Sequence, residues 1–161
     1  MFDSASKIMS REVGAKQVAG LKAAGKKVVF TNGCFDLLHM GHTDYLEKAR
    51  NLGDFLVVGV NTDASVSAIK GPFRPVSPEI SRTRVLASMG FVDMVILFDE
   101  ETPLKLIEAI KPDILTKGND YTVENIVGAD FVIASGGKVE TIPLVEGFST
   151  SNFVKRILSN P

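Results

Sequence analysis

The chain has 161 residues, 45% of them hydrophobic, so its length fits one domain over residues 1–161 whose core needs no disulfide or metal. Its 18 basic and 19 acidic residues leave a formal net charge of -1, which argues against a nucleic-acid or membrane surface as partner. The single cysteine excludes an internal disulfide, and the N-terminus shows neither a secretory signal nor a membrane-spanning run, so we expect a cytoplasmic protein.

The first part of the chain predicts a helix followed by alternating strands and helices. Residues 1–25 form a helical lead-in that stops at Gly25, and the core is expected over 26–161. A strand over 27–31, a helix over 41–52 and a strand over 55–60 follow. A strand, a crossover helix and a strand in this order predict parallel pairing.

The same alternation continues to the end of the chain. The pattern predicts a helix from Ser77-Pro78-Glu79 to about Ser88, a strand over 92–97, a helix from Thr102-Pro103 to Ile110, and a strand over 113–116. Two apolar segments, 131–134 and 138–142, flank Ser135-Gly136-Gly137, and a last helix is expected over 149–158 with Ser149 as its N-cap. These elements predict a Rossmann-like α/β fold, a doubly wound parallel sheet in a single domain.

Sheets of this kind bind ligands beyond the carboxyl ends of their strands, where the chain connections reverse direction. The segments that follow the strands should therefore form the rim of one site. These segments are 32–42, 61–63, 98–101, 117–121 and 143–151.

The strongest signal is the segment TNGCFDLLHMGH at 31–42, between the first strand and its helix. Gly33 lets backbone amides approach a phosphate, and Gly41 and His42 lie at a helix start, where free N–H groups and the helix dipole favour an anion. His39 and His42 can both reach that anion. Donors in this position stabilise charge during phosphoryl-type transfer, which needs little covalent help.

Other interpretations of these residues remain open. A zinc site would need a third and usually a fourth ligand, but the chain has two histidines and one thiol. Each imidazole could instead be satisfied structurally by backbone groups. Cys34 is disfavoured as a nucleophile because a loop thiol without a basic partner is commonly inert.

The segment 30–50 resembles the cytidylyltransferase-like branch of the nucleotidyltransferase superfamily, in which His39-Met40-Gly41-His42 is the HxGH signature. From about residue 10 onward the chain is also similar to the adenylyltransferases of ADP-heptose synthesis. This likeness rests on the further segments 59–65, 70–76, 99–103, 117–121 and 146–151. Two positions depart from that pattern: the acidic residue expected before Arg82 is missing unless Glu79 replaces it, and Asn119 stands where those enzymes have glycine.

The resemblance implies that a heptose 1-phosphate oxygen attacks the α-phosphorus of ATP, with Mg²⁺ bound together with the ATP, and that pyrophosphate is released. It also implies that His39 and His42 contact the triphosphate and that the segment 147–151 helps to hold the nucleotide. A second interpretation of Ser149 and Thr150 is a simple helix cap. We expect His39, His42 and Lys70 to be catalytic, and the nucleotide to be bound by Gly33, Cys34, Phe35, Gly41, Lys117, Asp120, Gly147, Ser149 and Thr150.

The acceptor sugar phosphate is expected at a second group of residues. The candidates for holding anionic oxygens are the basic residues Lys70, Arg74, Arg82 and Lys117, although each could also be a solvated surface charge. Lys70 and Arg74 are expected in a loop over 70–76 marked by glycine and proline. Asp36 is expected either to order the first loop or to help with the metal. The candidate acceptor residues are Asn61, Asp63, Arg74, Arg82 and Tyr121.

Two other functions remain alternatives. One is a cytidylyltransferase that acts on glycerol 3-phosphate or a similar alcohol phosphate. The other is a nucleotide-binding protein that has lost turnover. A homodimer is a further possibility, because small α/β enzymes often form symmetric dimers.

Overall fold

The computed structural model describes residues 3–159. Residues 1, 2, 160 and 161, which the predicted domain included, lie outside the described residues. The helices are α1 (Arg11–Ala23), α2 (Met40–Arg50), α3 (Asp63–Lys70), α4 (Glu79–Ser88), α5 (Leu104–Ile110), α6 (Ala129–Ala134) and α7 (Thr150–Leu158), with short 3₁₀ helices at Ser4–Lys7 and Val123–Asn125. The strands are β1 (Val28–Gly33), β2 (Phe55–Asn61), β3 (Met94–Phe98), β4 (Ile114–Gly118) and β5 (Lys138–Ile142).

These strands form one parallel sheet in the order β3-β2-β1-β4-β5. The chain leaves β1 toward β2 and β3, then crosses back through α5 to β4 on the other side of β1. The connections therefore reverse between β1 and β4, which is where doubly wound sheets bind ligands. The predicted fold, an open parallel α/β sheet, is confirmed.

Two apolar layers cover the sheet because successive strand side chains point to opposite faces. In β1, Val28 and Phe30 pack with α1, α5 and α6, whereas Val29 packs with α2 and α4. All three side chains are fully buried. The near-continuous apolar run of this strand follows from its position at the centre of a sheet covered on both faces.

Helix α3 was not predicted, and the segment 70–76 was interpreted as a loop marked by glycine and proline. In the structure Lys70 is the last residue of α3, and Gly71, at φ 95°, ends the helix. The helix begins where the Thr62 side chain accepts a hydrogen bond from the Ser65 N–H. Its serine, valine and isoleucine residues are weak helix formers, so burial of Ser65 and Val66 decides its conformation.

The other boundaries agree to within a few residues. Helix α1 ends just before Gly25, whose φ is 76°, and Ser149 is the N-cap of α7 as predicted. The apolar segment 131–134 is the end of helix α6, whereas 138–142 is strand β5 at the edge of the sheet. Among residues 3–159, helices long and apolar enough to cross a membrane are absent.

Candidate active site

A cavity of about 600 Å³ opens at the carboxyl ends of β1 and β4, where the connections reverse. This volume is in the usual range for small-molecule sites. Each of the five rim segments predicted from the sequence contributes to its wall. The lining includes Asn32, Gly33, Cys34, Phe35, Asp36, His39, Gly41, His42, Asn61, Lys70, Arg74, Glu101, Lys117, Asp120, Tyr121, Phe148, Ser149 and Thr150.

The two histidines lie together at the start of α2. His39 is the N-cap of the helix, and the centroids of the His39 and His42 rings are 3.9 Å apart. The His39 backbone N–H donates to His42 Nδ1 over 3.3 Å, so a neutral His42 carries its proton on Nε2. Burial, together with the charges of His39 and Lys70, lowers the pKa of His42 to about 4. Near neutral pH, His42 is therefore an uncharged donor in the cavity wall.

The interpretation in which backbone groups satisfy both rings fails for His39. Its Nδ1 is buried and has no hydrogen-bond partner among residues 3–159. Burial also lowers the pKa of His39. Gly41 makes room for this ring, because a Cβ at position 41 would lie 3.0 Å from His39 Nδ1. Gly41 therefore leaves space for the His39 ring and also lies in the first turn of α2.

Phe35 packs its ring between Gly33 and His42. A Cβ at Gly33 would lie 3.1 Å from the Phe35 ring, and the ring centroids of Phe35 and His42 are 5.6 Å apart. Phe35 has φ 48°, a left-handed conformation that is strained for a bulky side chain. Strain of this kind persists where surrounding contacts fix the backbone, and it concentrates at ligand sites.

Three cations of the cavity wall are available to anionic oxygens. Lys70 is exposed at the end of α3, and Arg74 Nη2 is buried without a hydrogen-bond partner among the described residues. Lys117 Nζ donates to the Asn32 carbonyl over 2.9 Å and lies 5.5 Å from the centroid of the Tyr121 ring. Burial lowers the pKa of Lys117 to about 8, so binding of an anion beside it would restore its full charge.

Asp36 holds two loops together, and its carboxylate is fully engaged. It accepts hydrogen bonds from Arg74 Nε over 2.6 Å and from the backbone N–H groups of Val76 and Ser77 over 2.8 Å each. Burial opposes ionisation of Asp36, but these hydrogen bonds outweigh it and lower the pKa of the carboxyl. Of its two expected roles, ordering the first loop fits these contacts, whereas holding a metal does not.

Arg82 and Asp63 were expected to bind the acceptor, and the structure places neither in the cavity wall. Arg82 is 1% exposed. Its guanidinium donates to the carbonyls of Cys34, Asn61 and Ser77 and to Asp63 Oδ1. Arg82 is therefore a structural residue, whose hydrogen bonds connect the ends of β1 and β2 to the segments where α3 and α4 begin. The sequence prediction for both residues needs this correction.

Of the remaining predicted residues, some line the cavity and others hold neighbouring segments in place. Asn61 lines the cavity, but its Nδ2 donates to Ser65 Oγ over 2.9 Å. Ser149 caps α7, accepting from the Asn152 N–H, and it also lines the cavity, so its expected role in nucleotide binding stays a prediction. Gly147, expected to bind nucleotide, lies outside the wall and turns the chain at φ 82° before α7.

The cavity wall also contains residues that the sequence did not indicate. Tyr45 belongs to the predicted helix over 41–52 but was not among the expected site residues, and Ile69 belongs to the unpredicted α3. The Tyr45 hydroxyl lies 2.8 Å from Thr31 Oγ1 and 3.2 Å from Thr116 Oγ1, which joins α2 to β1 and β4 beneath the cavity. The segment 125–127 completes the wall. This segment begins at the last residue of the 3₁₀ helix Val123–Asn125 and does not directly follow a strand, so the sequence gives no signal for it.

Glu79 and Asn119, where the sequence departs from the pattern of the heptose enzymes, lie outside the cavity wall. Glu79 accepts a hydrogen bond from the Asp63 N–H at the start of α3. Asn119 Oδ1 accepts from the Leu144 N–H and so connects the ends of β4 and β5. Neither side chain lines the cavity.

A doubly wound parallel sheet with a histidine pair at the start of its first crossover helix defines a nucleotidyltransferase domain. The chain belongs to the cytidylyltransferase-like family, whose model matches residues 30–152. That match includes the histidine pair and continues to the beginning of α7.

Relatives with high identity cover nearly the whole chain. The bifunctional protein HldE of Citrifermentans bemidjiense is 56% identical over 158 residues, which is 98% of this chain and 32% of that protein. HldE of Caulobacter vibrioides is 56% identical over 153 residues, 95% of this chain and 32% of that protein. The chain thus spans about a third of the length of the curated relatives it matches.

Solved structures show the same fold. The lipopolysaccharide core biosynthesis protein of Thermoplasma volcanium matches with a TM-score of 0.60 and 33% identity, over 75% of this chain and 98% of that one. The pantoate-β-alanine ligase of Francisella tularensis matches with a TM-score of 0.58 and 16% identity, over 96% of this chain and 79% of that one. The second likeness concerns the fold alone.

Proposed function

We propose that this chain transfers AMP from ATP to a sugar 1-phosphate, D-glycero-β-D-manno-heptose 1-phosphate, giving ADP-heptose and pyrophosphate. The observation that carries the proposal is the pairing of His39 and His42 at a helix start in the wall of a cavity. The likeness to HldE proteins and to a lipopolysaccharide core biosynthesis protein supports a sugar nucleotide as the product. Both substrates are soluble phosphates, so the reaction belongs in the cytoplasm.

The wall offers different groups to the triphosphate and to the acceptor. The N-terminus of α2 presents backbone N–H groups and the positive end of a helix dipole, which favour phosphate. Lys117 approaches from the neighbouring strand β4. Lys70 and Arg74 line the cavity at and after the end of α3, where they can neutralise the leaving pyrophosphate or the acceptor phosphate. The base and sugar of the nucleotide then lie toward Asp120 and the start of α7.

In the proposed reaction an oxygen of the acceptor phosphate forms a bond to the α-phosphorus of ATP. The bond from that phosphorus to the bridging oxygen breaks, and pyrophosphate leaves with the electron pair. The acceptor phosphate is already an anion, so no base is required. His42 donates from Nε2 and His39 from its ring to oxygens whose negative charge grows in the transition state.

Mg²⁺ enters this site with the triphosphate. Among residues 3–159 there is no group of three or more His, Cys, Asp or Glu side chains that could enclose a metal ion. Mg²⁺ commonly keeps several waters and binds through substrate phosphates rather than an all-protein cage, so this wall fits an ion carried by ATP. The ion would neutralise charge on the phosphates.

The substrates can be tested by pyrophosphate release with ATP or CTP, each combined with the heptose 1-phosphate or glycerol 3-phosphate. We expect turnover with ATP and the heptose 1-phosphate. Turnover with CTP and glycerol 3-phosphate alone would show a cytidylyltransferase instead. Nucleotide binding in a calorimeter, without pyrophosphate from any pair, would show a silent nucleotide-binding protein.

A matched pair of variants tests the role of His42. Asn at this position lacks a group in the place of Nε2, whereas Gln extends an amide N–H toward it. We expect His42→Asn to lower kcat on the order of a hundredfold, with KM for ATP nearly unchanged, and His42→Gln to lose less. Near-normal kcat in His42→Asn would contradict the mechanism.

A further inference from the structure

Helix α7 reaches the histidine pair although none of its own residues is buried. The Phe153 ring stacks on the His39 ring with centroids 5.5 Å apart and an angle of 3° between the planes. Offset stacking of aromatic rings at this separation is favourable. Phe153 itself does not line the cavity. Its contact is therefore with the histidine and not with the space that a ligand would occupy.

His39 needs such a contact because it lacks the usual restraint on a functional imidazole. A histidine is commonly oriented by a hydrogen bond at the ring nitrogen that does not face the substrate. His42 has that bond at Nδ1, from the His39 backbone, whereas His39 Nδ1 has no hydrogen-bond partner in the part of the chain that the structure describes. Three rings contact His39: the His42 ring with its centroid 3.9 Å away, the Phe148 ring at 6.2 Å and tilted by 36°, and the Phe153 ring, which is stacked parallel to it.

We propose that Phe153 is a positioning residue whose ring, stacked on His39, holds that imidazole in the orientation in which it contacts the triphosphate. The role rests on the proposed nucleotidyltransferase function. It makes the placement of α7 part of the catalytic arrangement, since this helix carries a ring that is stacked parallel to His39. Because Phe153 stays outside the cavity, its loss acts on kcat and leaves nucleotide binding nearly intact.

The kinetic test compares three variants in the pyrophosphate assay. Phe153→Tyr keeps the stacking ring, Phe153→Leu keeps an apolar side chain without a ring, and Ile157→Ala truncates an apolar side chain of the same helix that is 64% exposed. Loss of one aromatic pair corresponds to roughly a 2- to 13-fold change in rate. We expect kcat to fall by this factor in Phe153→Leu with KM for ATP unchanged, and to stay near wild type in the other two.

A second measurement observes the His39 ring directly by NMR and does not require that the enzyme turns over. The chain has only two histidines, so the ring protons of a histidine-labelled sample give two sets of NMR signals. In Phe153→Leu the His39 signals should shift, because the ring current of the stacked ring is lost, and in Ile157→Ala they should stay in place. This result is independent of which substrates the enzyme uses.

Two outcomes would overturn the positioning role. One is an unchanged His39 signal and unchanged kcat in Phe153→Leu. The other is an equal loss of kcat in Phe153→Tyr, Phe153→Leu and Ile157→Ala, which would show a general requirement for α7. If wild-type protein releases no pyrophosphate at all, the proposed function fails, while the NMR comparison still decides whether Phe153 orients His39.

Discussion

His39 and His42 are neighbours on one helix turn, yet their surroundings differ. His42 is held by a backbone hydrogen bond and has a pKa lowered to about 4, whereas His39 is held by ring stacking. Both rings are neutral donors before a ligand binds. A bound triphosphate would favour their charged forms, since opposite charge raises the pKa of a histidine. The lowered pKa values of both rings thus avoid two adjacent positive charges that would repel each other.

The lowered pKa of His42 predicts a dependence of stability on pH. The pKa is about 4 in the folded chain and near 6.5 for an ordinary histidine, so the unfolded chain binds more protons between these values. The contribution of neutral His42 is complete above about pH 6.5 and is lost as pH falls toward 4, by roughly 3 kcal/mol.

Urea unfolding at pH 7 and pH 4.5 measures this loss. His42→Asn is the control, because it keeps every other titrating group of the chain. We expect wild type to lose more stability than His42→Asn between the two pH values. Equal losses would show that His42 is protonated as easily in the folded chain as in the unfolded one.

At the scale of the elements, the loop after β1 and the segment after α3 behave as one unit at the mouth of the cavity. Asp36 in the first loop binds Arg74, Val76 and Ser77 of the second. Its side chain is 1% exposed and that of Arg74 17% exposed. This connection places Arg74, and with it the end of α3 at Lys70, beside the histidine pair.

Asp36→Asn should loosen this unit, because a neutral amide has one acceptor oxygen and leaves a mostly buried guanidinium unpaired. We expect a loss of about 2–4 kcal/mol in the free energy of unfolding, measured from the urea midpoint. Asp44→Asn is the matched control, since Asp44 pairs with Lys48 on the surface of α2 at i,i+4. It should cost less than about 0.5 kcal/mol. Equal effects would refute the role of Asp36.

At the scale of the whole molecule, the cavity joins the two halves of the sheet. Its wall takes residues from β1 and β2 on one side and from β4 and the segment before α7 on the other. Polar contacts beneath it, from Tyr45 to Thr31 and Thr116, connect the same halves. A ligand in the cavity therefore contacts segments that are far apart in sequence, and binding should stabilise the fold as a unit.

We expect ATP with Mg²⁺ to raise the melting temperature in a calorimeter. At a hundred times Kd the stabilisation is about 2.7 kcal/mol, or roughly 5–10 °C for a chain of this size. AMP is the control: it lacks the β- and γ-phosphates expected near Lys70 and Arg74, so at equal concentration its shift should be smaller. Equal shifts with ATP and AMP would show that those cations do not bind the triphosphate.

Local patterns of the sequence determined the strands, the helix start at the histidine pair and the cap at Ser149. Apolar runs bounded by glycine specify buried strands, and parallel strands bring their carboxyl ends to one edge, so the rim of the site followed from the chain order. The HxGH segment contains both histidines and the glycine within four consecutive residues, so the motif can be recognised in the sequence alone. These features need no knowledge of contacts between distant parts of the chain.

Only the tertiary structure decided which charged side chains and aromatic rings belong to the candidate active site. Arg74 and Arg82 look alike in sequence, but burial commits every nitrogen of Arg82 to carbonyls and to Asp63, whereas Arg74 reaches the cavity. Likewise Phe153 looks like any apolar residue of an amphipathic helix, and its stacking on His39 depends on how α7 packs. Burial and long-range contact set these roles, and neither is encoded in the spacing of residues along the chain.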